Sequence, residues 1–311
     1  MSAKTTSSPG DPLAGTFHRR ELKAPCVSFS SSEGRELFKS ALASGYLDVY
    51  FPLAEQYSTQ AHPAFCGLSS LTMVLNALLI DPKRVWNGVW RWFSEDMLDC
   101  CDDVDLIKLQ GINMLKLNCL ARCQGAATVL KFGSEVSIEE LREDIKNSCS
   151  NHEHPMMIAS YDRRTLNQTG SGHFSPIGGY NADKDMVLIL DVAMFKLPAH
   201  WAPLETLHEA MQSIDKETGK SRGYMLVSSS PEFEHLCRCA PNDVDEETVT
   251  ESETDSTITA ERAASPRKAT SEEKEVVHCK IAALEDLMNQ ADQVVESGGA
   301  DCCKSDSKCK K

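Results

Sequence analysis

The chain has 311 residues, of which 41% are hydrophobic and 25% are charged, the balance of an ordinary globular protein. This length allows one large domain or two smaller ones, each able to bury a core. A formal net charge of −14 argues against a nucleic-acid partner, and the apolar runs are too short for a membrane-spanning helix.

The N-terminal segment and the cysteines bear on the compartment of the protein. Residues 1–16 are rich in Ser, Thr, Pro and Gly, so we expect them to be disordered. They also lack the apolar stretch of a secretory signal. The 13 cysteines are an odd number, and two pairs are adjacent, which is not the pattern of a disulfide framework. Reduced thiols and a cytoplasmic location are the simpler interpretation, and so many thiols also suggest contact with soft metals.

The polarity pattern predicts an α+β fold with most of its strands in the second half of the globular part. Helices are expected at 34–43, 66–79, 94–98, 104–108, 137–146 and 204–211, and strands at 115–120, 156–161, 173–180, 186–192 and 223–228. The tryptophan-rich segment 86–93 is expected to pack in the core around the 66–79 helix, with a wall that faces a substrate as the alternative.

The stretch from Gln60 to Leu79 carries the first candidate for chemistry. Pro63 and Gly67 are typical of a loop or turn, and the leucines that follow recur at helical spacing. We therefore expect Cys66 in the first turn of a buried helix. Unpaired backbone N–H groups at a helix start favour the thiolate, the nucleophilic form of cysteine. Gln60 could return its amide to the same spot as an oxyanion donor. The alternative for Cys66 is a small buried apolar residue.

A cysteine nucleophile needs a base with an orienting partner, and a predicted β-hairpin supplies both. Two apolar runs flank a polar turn centred near Ala182, and that centre pairs His173 directly with Asp191 on neighbouring strands. Asp191 can then accept from one imidazole nitrogen and leave the other facing the thiol. A register slip of one residue would move Asp191 to the other face. The alternatives are a satisfied core histidine and a carboxylate that ends a strand.

Together Gln60, Cys66, His173 and Asp191 have the chain order and roles of a papain-type site, and longer motifs carry a more specific resemblance. The segments that carry it are Pro63–Leu78, Trp90–Phe93, Met97–Cys101, Gly172–Ala182 and Leu190–Ala193. They resemble phytochelatin synthase, the glutathione γ-glutamylcysteinyltransferase of the papain-like clan. The resemblance implies a papain-like catalytic domain over 17–233, with a helical part that carries the nucleophile packed on an antiparallel sheet that carries His and Asp.

The resemblance implies a reaction as well as a fold. Cys66 is then the nucleophile, His173 the base, Asp191 the orienting carboxylate and Gln60 the oxyanion donor. The thiolate attacks the cysteinyl carbonyl of glutathione, glycine leaves, and the γ-glutamylcysteinyl group passes to a second glutathione or to a phytochelatin. No organic cofactor is implied. Cadmium, zinc or copper ions promote the reaction, largely as metal–glutathione thiolates, and a homodimer is a further expectation because bacterial relatives form one.

The resemblance also assigns residues to the substrates. There are six of them: Asp215 and Arg222 for the charged γ-glutamyl end of the donor, Gly172 and Ser160 beside the triad, and Arg163 and Lys196 for the acceptor glutathione. An acid and a bidentate base suit the ammonium and the carboxylate of a γ-glutamyl group. The alternative for Asp215 and Arg222 is a solvated surface charge. Met194 stands where plant members carry an arginine, so a regulatory contact through that side chain is not expected.

The residues after 233 form a short tail of different composition. The segment 243–255 has seven acidic residues and no basic one, and no aromatic residue follows position 233. We therefore expect a disordered tail, interrupted by one helix at 276–295. Plant members carry a long cysteine-rich region there that aids the metal response. The candidate metal ligands of this tail are five thiols, with incidental cysteines as the alternative: Cys237, Cys239, Cys302, Cys303 and Cys309.

Two other functions compete with transpeptidation. With water as the acceptor, the same site is a peptidase that removes glycine from glutathione or its S-conjugates. A thiol-rich metal buffer without catalysis is the third interpretation, but 13 cysteines in 311 residues are sparse for that role, and it leaves the triad unexplained.

Overall fold

A seven-stranded antiparallel sheet forms the centre of the computed structural model, which describes residues 20–229. Its strands are β1 (Val27–Ser28), β2 (Ala126–Phe132), β3 (Met156–Asp162), β4 (Gly172–Asn181), β5 (Met186–Ile189), β6 (His200–Pro203) and β7 (Gly223–Ser229). They lie in the order β1-β6-β5-β4-β3-β7-β2. Nearly every residue of β3, β4 and β5 is buried, so both faces of the central sheet are covered.

Seven α-helices surround this sheet within the described residues. They are α1 (Ser32–Ala43), α2 (Tyr50–Glu55), α3 (Cys66–Ala77), α4 (Val104–Gln110), α5 (Met114–Cys123), α6 (Ile138–Ser150) and α7 (Leu204–Met211). The hydroxyls of Ser31 and Ser137 accept the N–H groups of Gly34 and Glu140, which fixes where α1 and α6 begin. None of the helices described is long and apolar enough to cross a bilayer.

The structure confirms the predicted α+β class, and its elements agree with most of the predicted ones. The helix that begins at Cys66 is almost entirely buried and packs against β4. Helix α7 has the predicted bounds, and the last strand, β7, extends one residue beyond them. The helix α2 and the strand β2 were not predicted. The expected disorder at 1–16 and the expected helix at 276–295 lie outside the described residues.

The strand expected at 115–120 is wrong, because these residues belong to helix α5. Asn113 caps that helix by accepting the N–H of Lys116. The buried residues Leu117, Leu120 and Ala121 follow the helical period and face the core. The apolar–polar alternation around Leu117 is therefore a coincidence of a short segment, which cannot separate helix from strand by itself.

The tryptophan-rich segment does not pack in the core as expected. Trp86, Trp90 and Trp92 are exposed, and Trp90 shows 70% of its surface to solvent. A tight turn pairs Asn87 with Trp90 and carries the segment away from the core. Only Phe93 is buried, and the side chain of Asn76 holds it by bonding both its N–H and its C=O.

A β-bulge sets the register of the predicted hairpin. Tyr180 pairs with Val187 beside the turn, but beyond the bulge at Gly178 the pairing shifts by one residue, and Ile177 pairs with Ile189. Leu190 donates its N–H to Pro176, so Asp191 lies level with Ser175 and not with His173 as predicted. Without the bulge, Asp191 would point to the opposite face of the sheet. The bulge therefore places Asp191 on the face that carries His173.

We expect Gly178→Ala to destabilise the protein and to disturb this register. A β-carbon at Gly178 would lie 2.8 Å from two atoms of the buried Leu190 side chain. Overpacking of this kind costs about 1–3 kcal/mol of the free energy of unfolding. Urea denaturation of Gly178→Ala, Leu190→Ala and the double variant forms a cycle. The double variant should lose less than the sum of the single losses, and strict additivity would contradict the overlap.

Candidate active site

Cys66 is the first residue of α3, and its thiol is half-buried. His173 and the backbone N–H of Phe174 hydrogen-bond to it, and both residues lie on β4. Burial raises the pKa of the Cys66 thiol, but the charge and hydrogen bond of His173, the N–H of Phe174 and the charge of Arg163 together outweigh it, so that this pKa is lowered. The start of the helix adds a partial positive charge. Every one of these contacts favours the thiolate.

His173 lies behind the thiol and is almost completely buried. Its Nε2 lies 2.9 Å from Asp191 Oδ1, so Nδ1 is the nitrogen left for Cys66. Burial lowers the pKa of His173, but the negative charge of Asp191 raises it further, and the net shift is upward. A lowered thiol pKa and a raised imidazole pKa both favour a thiolate–imidazolium pair.

Asp191 follows directly after β5 and is fully buried. Besides His173, it accepts the N–H of Ala193 at 2.9 Å and a hydrogen bond from Arg163 Nη2 at 2.8 Å. Burial alone would raise the pKa of this carboxyl, yet His173 and Arg163 hold it far below its usual range. The lowered pKa favours the charged carboxylate at neutral pH, and this carboxylate fixes the orientation of the imidazole.

Arg163, which the resemblance assigned to the acceptor glutathione, lies buried beside Asp191. Its side chain is 3% exposed, and its guanidinium bonds Asp191 on one side and Gln168 Oε1, at 2.7 Å, on the other. The side-chain nitrogen of Gln168 in turn lies 2.9 Å from Nε2 of the buried His200, within hydrogen-bond distance. An arginine directly after a buried strand needs a partner, and the same argument that singled out Asp191 could have found this pair.

Lys196, the second cation that the resemblance assigned to the acceptor glutathione, lies beside the triad. A β-carbon at Gly170 would lie 2.9 Å from Lys196 Nζ and 3.6 Å from Arg163 Cδ, so the ammonium lies over this glycine turn. Burial and the neighbouring charge of Arg163 lower the pKa of Lys196. Among residues 20–229, no hydrogen bond is recorded for this ammonium, which leaves it available to an anionic ligand.

Arg222 and Asp215 lie together beside the residue that precedes His173. Arg222 Nη1 is 3.4 Å from Asp215 Oδ2, and a side chain at Gly172 would overlap the guanidinium. The Nε of Arg222 is buried, and no hydrogen-bond partner is found for it among the described residues. Ser160 is buried on β3 opposite Phe174. The absence of a side chain at Gly172 thus brings a cation and an anion next to the triad.

Gln60 shapes the loop that leads to Cys66. Its side-chain nitrogen donates to the carbonyl oxygens of His62 at 2.8 Å and Pro63 at 2.9 Å, and the residue is buried. Its backbone N–H donates to Val192 O at 2.9 Å. Both amide hydrogens are thus engaged within the loop. The oxyanion role stays a prediction, and it requires one of these two bonds to be released.

Tyr57 is a residue of this site that the sequence did not indicate. Its hydroxyl donates to the backbone oxygen of Asp191 at 2.8 Å, and Thr59 Oγ1 donates to that of Val192 at 3.2 Å. The segment before Cys66 is therefore tied to the segment that carries Asp191. No local pattern marks a tyrosine for such a contact, because it joins positions far apart in the chain.

A thiol at a helix start, an imidazole on the adjacent strand and a buried carboxylate behind it have the geometry expected of a cysteine-nucleophile site, and the α+β fold agrees with a papain-like arrangement. A sequence profile described as "Phytochelatin synthase" matches residues 17–224. The chain belongs to the phytochelatin synthase family.

Three curated relatives illustrate this membership. "Glutathione gamma-glutamylcysteinyltransferase 1" of Lotus japonicus is 51% identical over 70% of this chain and 43% of its own length. The protein of the same name from Arabidopsis thaliana is 50% identical, over 70% and 44% respectively. "Glutathione gamma-glutamylcysteinyltransferase" of Schizosaccharomyces pombe is 45% identical over 69% of this chain and 52% of its own length. The chain spans about half the length of these relatives.

We expect Asp191→Asn to raise the pH at which Cys66 becomes a thiolate. The lost negative charge no longer raises the pKa of His173, so the imidazolium that stabilises the thiolate forms only at lower pH. The pH dependence of alkylation of the Cys66 peptide by iodoacetamide, followed by mass spectrometry, measures this midpoint. Asp185→Asn, at a carboxylate outside the site, is the control. An unchanged midpoint in Asp191→Asn would remove Asp191 from the triad.

We expect Arg163→Met to destabilise the fold and to raise the alkylation midpoint of Cys66. Its charge lowers the pKa values of Cys66 and Asp191, and its removal leaves a buried carboxylate with one charged partner fewer. Breaking a buried pair costs about 3–5 kcal/mol. Arg163→Lys keeps the charge and should retain a midpoint closer to that of the wild type. If both variants behave alike in urea denaturation and in alkylation, the charge is not what matters.

Proposed function

We propose that the protein is a γ-glutamylcysteine dipeptidyl transpeptidase that makes phytochelatins, (γ-Glu-Cys)n-Gly, from glutathione in the cytoplasm and so serves heavy-metal detoxification. The observation that carries the proposal is the Cys66–His173–Asp191 arrangement with Arg222 and Gly172 beside it. Membership of the family and the names of the relatives support the choice of glutathione. The catalytic domain is proposed to cover 17–233.

The first half-reaction is acyl transfer to the enzyme. The Cys66 thiolate attacks the cysteinyl carbonyl carbon of glutathione, and the C–N bond to glycine breaks. His173, which carries the proton in the ion pair, gives it to the departing glycine amine. The product is a γ-glutamylcysteinyl thioester on Cys66. The buried Asp191 holds the imidazole in place throughout, because its charge persists.

The donor is oriented by its γ-glutamyl end. Arg222 is suited to the α-carboxylate, because its buried Nε lacks a hydrogen-bond partner in the described structure and its guanidinium is planar. Asp215, 3.4 Å from Arg222, is suited to the α-ammonium. The absence of a side chain at Gly172 leaves room above β4 for the Arg222 guanidinium, which keeps this cation beside the triad. Ser160 lies on the neighbouring strand, β3.

The second half-reaction transfers the acyl group to an amine. The γ-glutamyl α-amine of a second glutathione, or of a phytochelatin, attacks the thioester carbonyl carbon, and the C–S bond breaks to release the Cys66 thiolate. His173 accepts the proton of the amine. Lys196 is the cation proposed for the carboxylates of this acceptor. Arg163 has no part in this proposal, because its guanidinium bonds Asp191 and Gln168. Cadmium, zinc or copper ions enter as glutathione thiolates, that is, as part of the substrate. The tail thiols and a homodimer stay predictions.

The decisive experiment is product analysis with a matched pair of cysteine variants. Cys66→Ser should abolish release of glycine from glutathione, because a serine hydroxyl is not ionised by His173 at neutral pH. Cys149→Ser changes a buried cysteine on α6, outside the site, and should keep turnover if it folds. Circular dichroism of both variants verifies the fold.

Mass spectrometry of the products separates the candidate functions. Incubation of the wild type with glutathione and cadmium should give (γ-Glu-Cys)2-Gly and longer products together with glycine. Free γ-Glu-Cys as the main product, in place of the polymer, would favour the peptidase. Undiminished glycine release by Cys66→Ser would refute the assignment of the nucleophile.

A further inference from the structure

A series of buried polar side chains connects the triad with strand β6. Arg163 bonds Asp191 on one side and Gln168 on the other. Gln168 in turn bonds His200, the first residue of β6. His200 is fully buried and Gln168 is 8% exposed, so solvent is largely excluded as a partner for either side chain. Buried polar groups are nearly always hydrogen-bonded, so the direction of each bond in this series follows from its neighbours.

The backbone beside β6 fixes the tautomer of His200. The Nδ1 atom lies 2.9 Å from the carbonyl oxygen of Pro198, which can only accept, so Nδ1 carries a hydrogen. Burial lowers the pKa of His200. Asp191 raises this pKa, but the charges of Arg163 and His173 lower it further, and the net shift is downward. A neutral ring with its hydrogen on Nδ1 leaves Nε2 as an acceptor.

The neutral His200 determines which way round the Gln168 amide lies. Gln168 Nε2 is 2.9 Å from the accepting Nε2 of His200, so the amide nitrogen donates on this side. The amide oxygen then lies on the other side, 2.7 Å from Arg163 Nη1. A reversed amide would set its NH₂ group against a guanidinium, which has only donors, and its oxygen against a nitrogen that carries only a lone pair. Both bonds would be lost in the interior, where an unsatisfied polar group is costly.

The Gln168 amide holds the Arg163 guanidinium in turn. The backbone N–H of Gln168 donates to the carbonyl oxygen of Arg163 at 2.9 Å, so a short turn joins these two residues through the main chain as well. With Nη1 bound to Gln168, Nη2 lies 2.8 Å from Asp191 Oδ1. Because the guanidinium is planar, a bond at one nitrogen also directs the others. The charge of Arg163 is therefore fixed relative to Asp191 and Cys66, whose pKa values it lowers.

We propose that Gln168 and His200 are positioning residues of the reactive site. The neutral His200, with its hydrogen on Nδ1, orients the Gln168 amide, and this amide holds the Arg163 guanidinium. The fixed charge of Arg163 then favours the Cys66 thiolate. Gln168 and His200 act through Arg163 and not on the reacting atoms. The inference deepens the proposed function, since it rests on Cys66 as the nucleophile.

The first test is the state of His200 in the unmodified full chain. The chemical shifts of ¹⁵N-labelled histidine rings distinguish the imidazolium from the two neutral tautomers, and His200→Gln identifies the signals of this residue. At neutral pH, His200 should be uncharged with its hydrogen on Nδ1. An imidazolium, or a neutral ring with its hydrogen on Nε2, would overturn the proposal.

The second test is the pH midpoint at which iodoacetamide alkylates Cys66. Gln168→Met removes both bonds of the amide from a side chain of similar length, and the midpoint should rise by about 0.5–1 pH unit, less than removal of the charge itself would give. His200→Met should have the same effect, whereas His200→Gln offers an oxygen near the place of Nε2 and should restore a midpoint close to that of the wild type. No change in either methionine variant would contradict the positioning role.

A matched control separates this role from a loss of stability. Asn181→Leu removes a buried hydrogen bond to Leu37 O, away from the triad. It should lower the melting temperature without moving the midpoint of Cys66. Circular dichroism verifies the fold of every variant, and the tautomer of His200 in the wild-type chain decides the question if the methionine variants do not fold.

The dependence on Arg163 is the sharpest outcome. In an Arg163→Met background, Gln168→Met should leave the midpoint of Cys66 where it is, because no guanidinium is left to hold. An equal rise in both backgrounds would show that Gln168 acts by another route and would overturn the proposal. If the Arg163→Met chain does not fold, the single variants and the tautomer decide. All these readouts are taken without glutathione, so a failure of transpeptidation in the product analysis is distinguished from a failure of this inference.

Discussion

The buried charge of Asp191 is the constraint on which the rest of this structure depends. A carboxylate without solvent costs several kcal/mol unless cations and N–H groups compensate it. Strand β4 brings His173, the end of β3 brings Arg163, and the chain after β5 brings the N–H of Ala193. Each partner comes from a different element, so the neutralisation of this one acid links β3, β4 and the chain after β5.

Asp191 and Arg163 act on the pKa of His173 in opposite ways. His173 gains proton affinity from Asp191, while the charge of Arg163 opposes that gain and also favours the Cys66 thiolate. Arg163 therefore limits how basic the imidazole becomes while it helps to keep the nucleophile ionised. A neutral partner such as asparagine in place of Asp191 would remove the reason for burying the arginine. The ionisation states of Cys66, His173 and Asp191 thus depend on one another and on the charge of Arg163.

Local patterns in the sequence were sufficient for part of this arrangement. The helix start at Cys66 and the apolar runs that flank Ala182 predicted which residues would meet. They could not predict the bulge at Gly178, because a bulge depends on the fit of Leu190 against the neighbouring strand. Helix α5 was mistaken for a strand for a similar reason, since only its tertiary packing distinguishes the two periods. Contacts such as that of Tyr57 with Asp191 join distant positions and leave no local signature.

The exposure of the segment 86–92 has a spectroscopic consequence. The chain has four tryptophans: three lie in this segment, and the fourth, Trp201, is fully buried on β6 with its indole N–H donated to Gly34 O at 3.1 Å. Emission from the three surface indoles is open to iodide quenching and reddened by water, whereas Trp201 is shielded and emits at shorter wavelength. Total tryptophan fluorescence therefore reports mainly on a surface turn, and quencher-resistant blue emission is the part that follows the packing of α1 against the sheet.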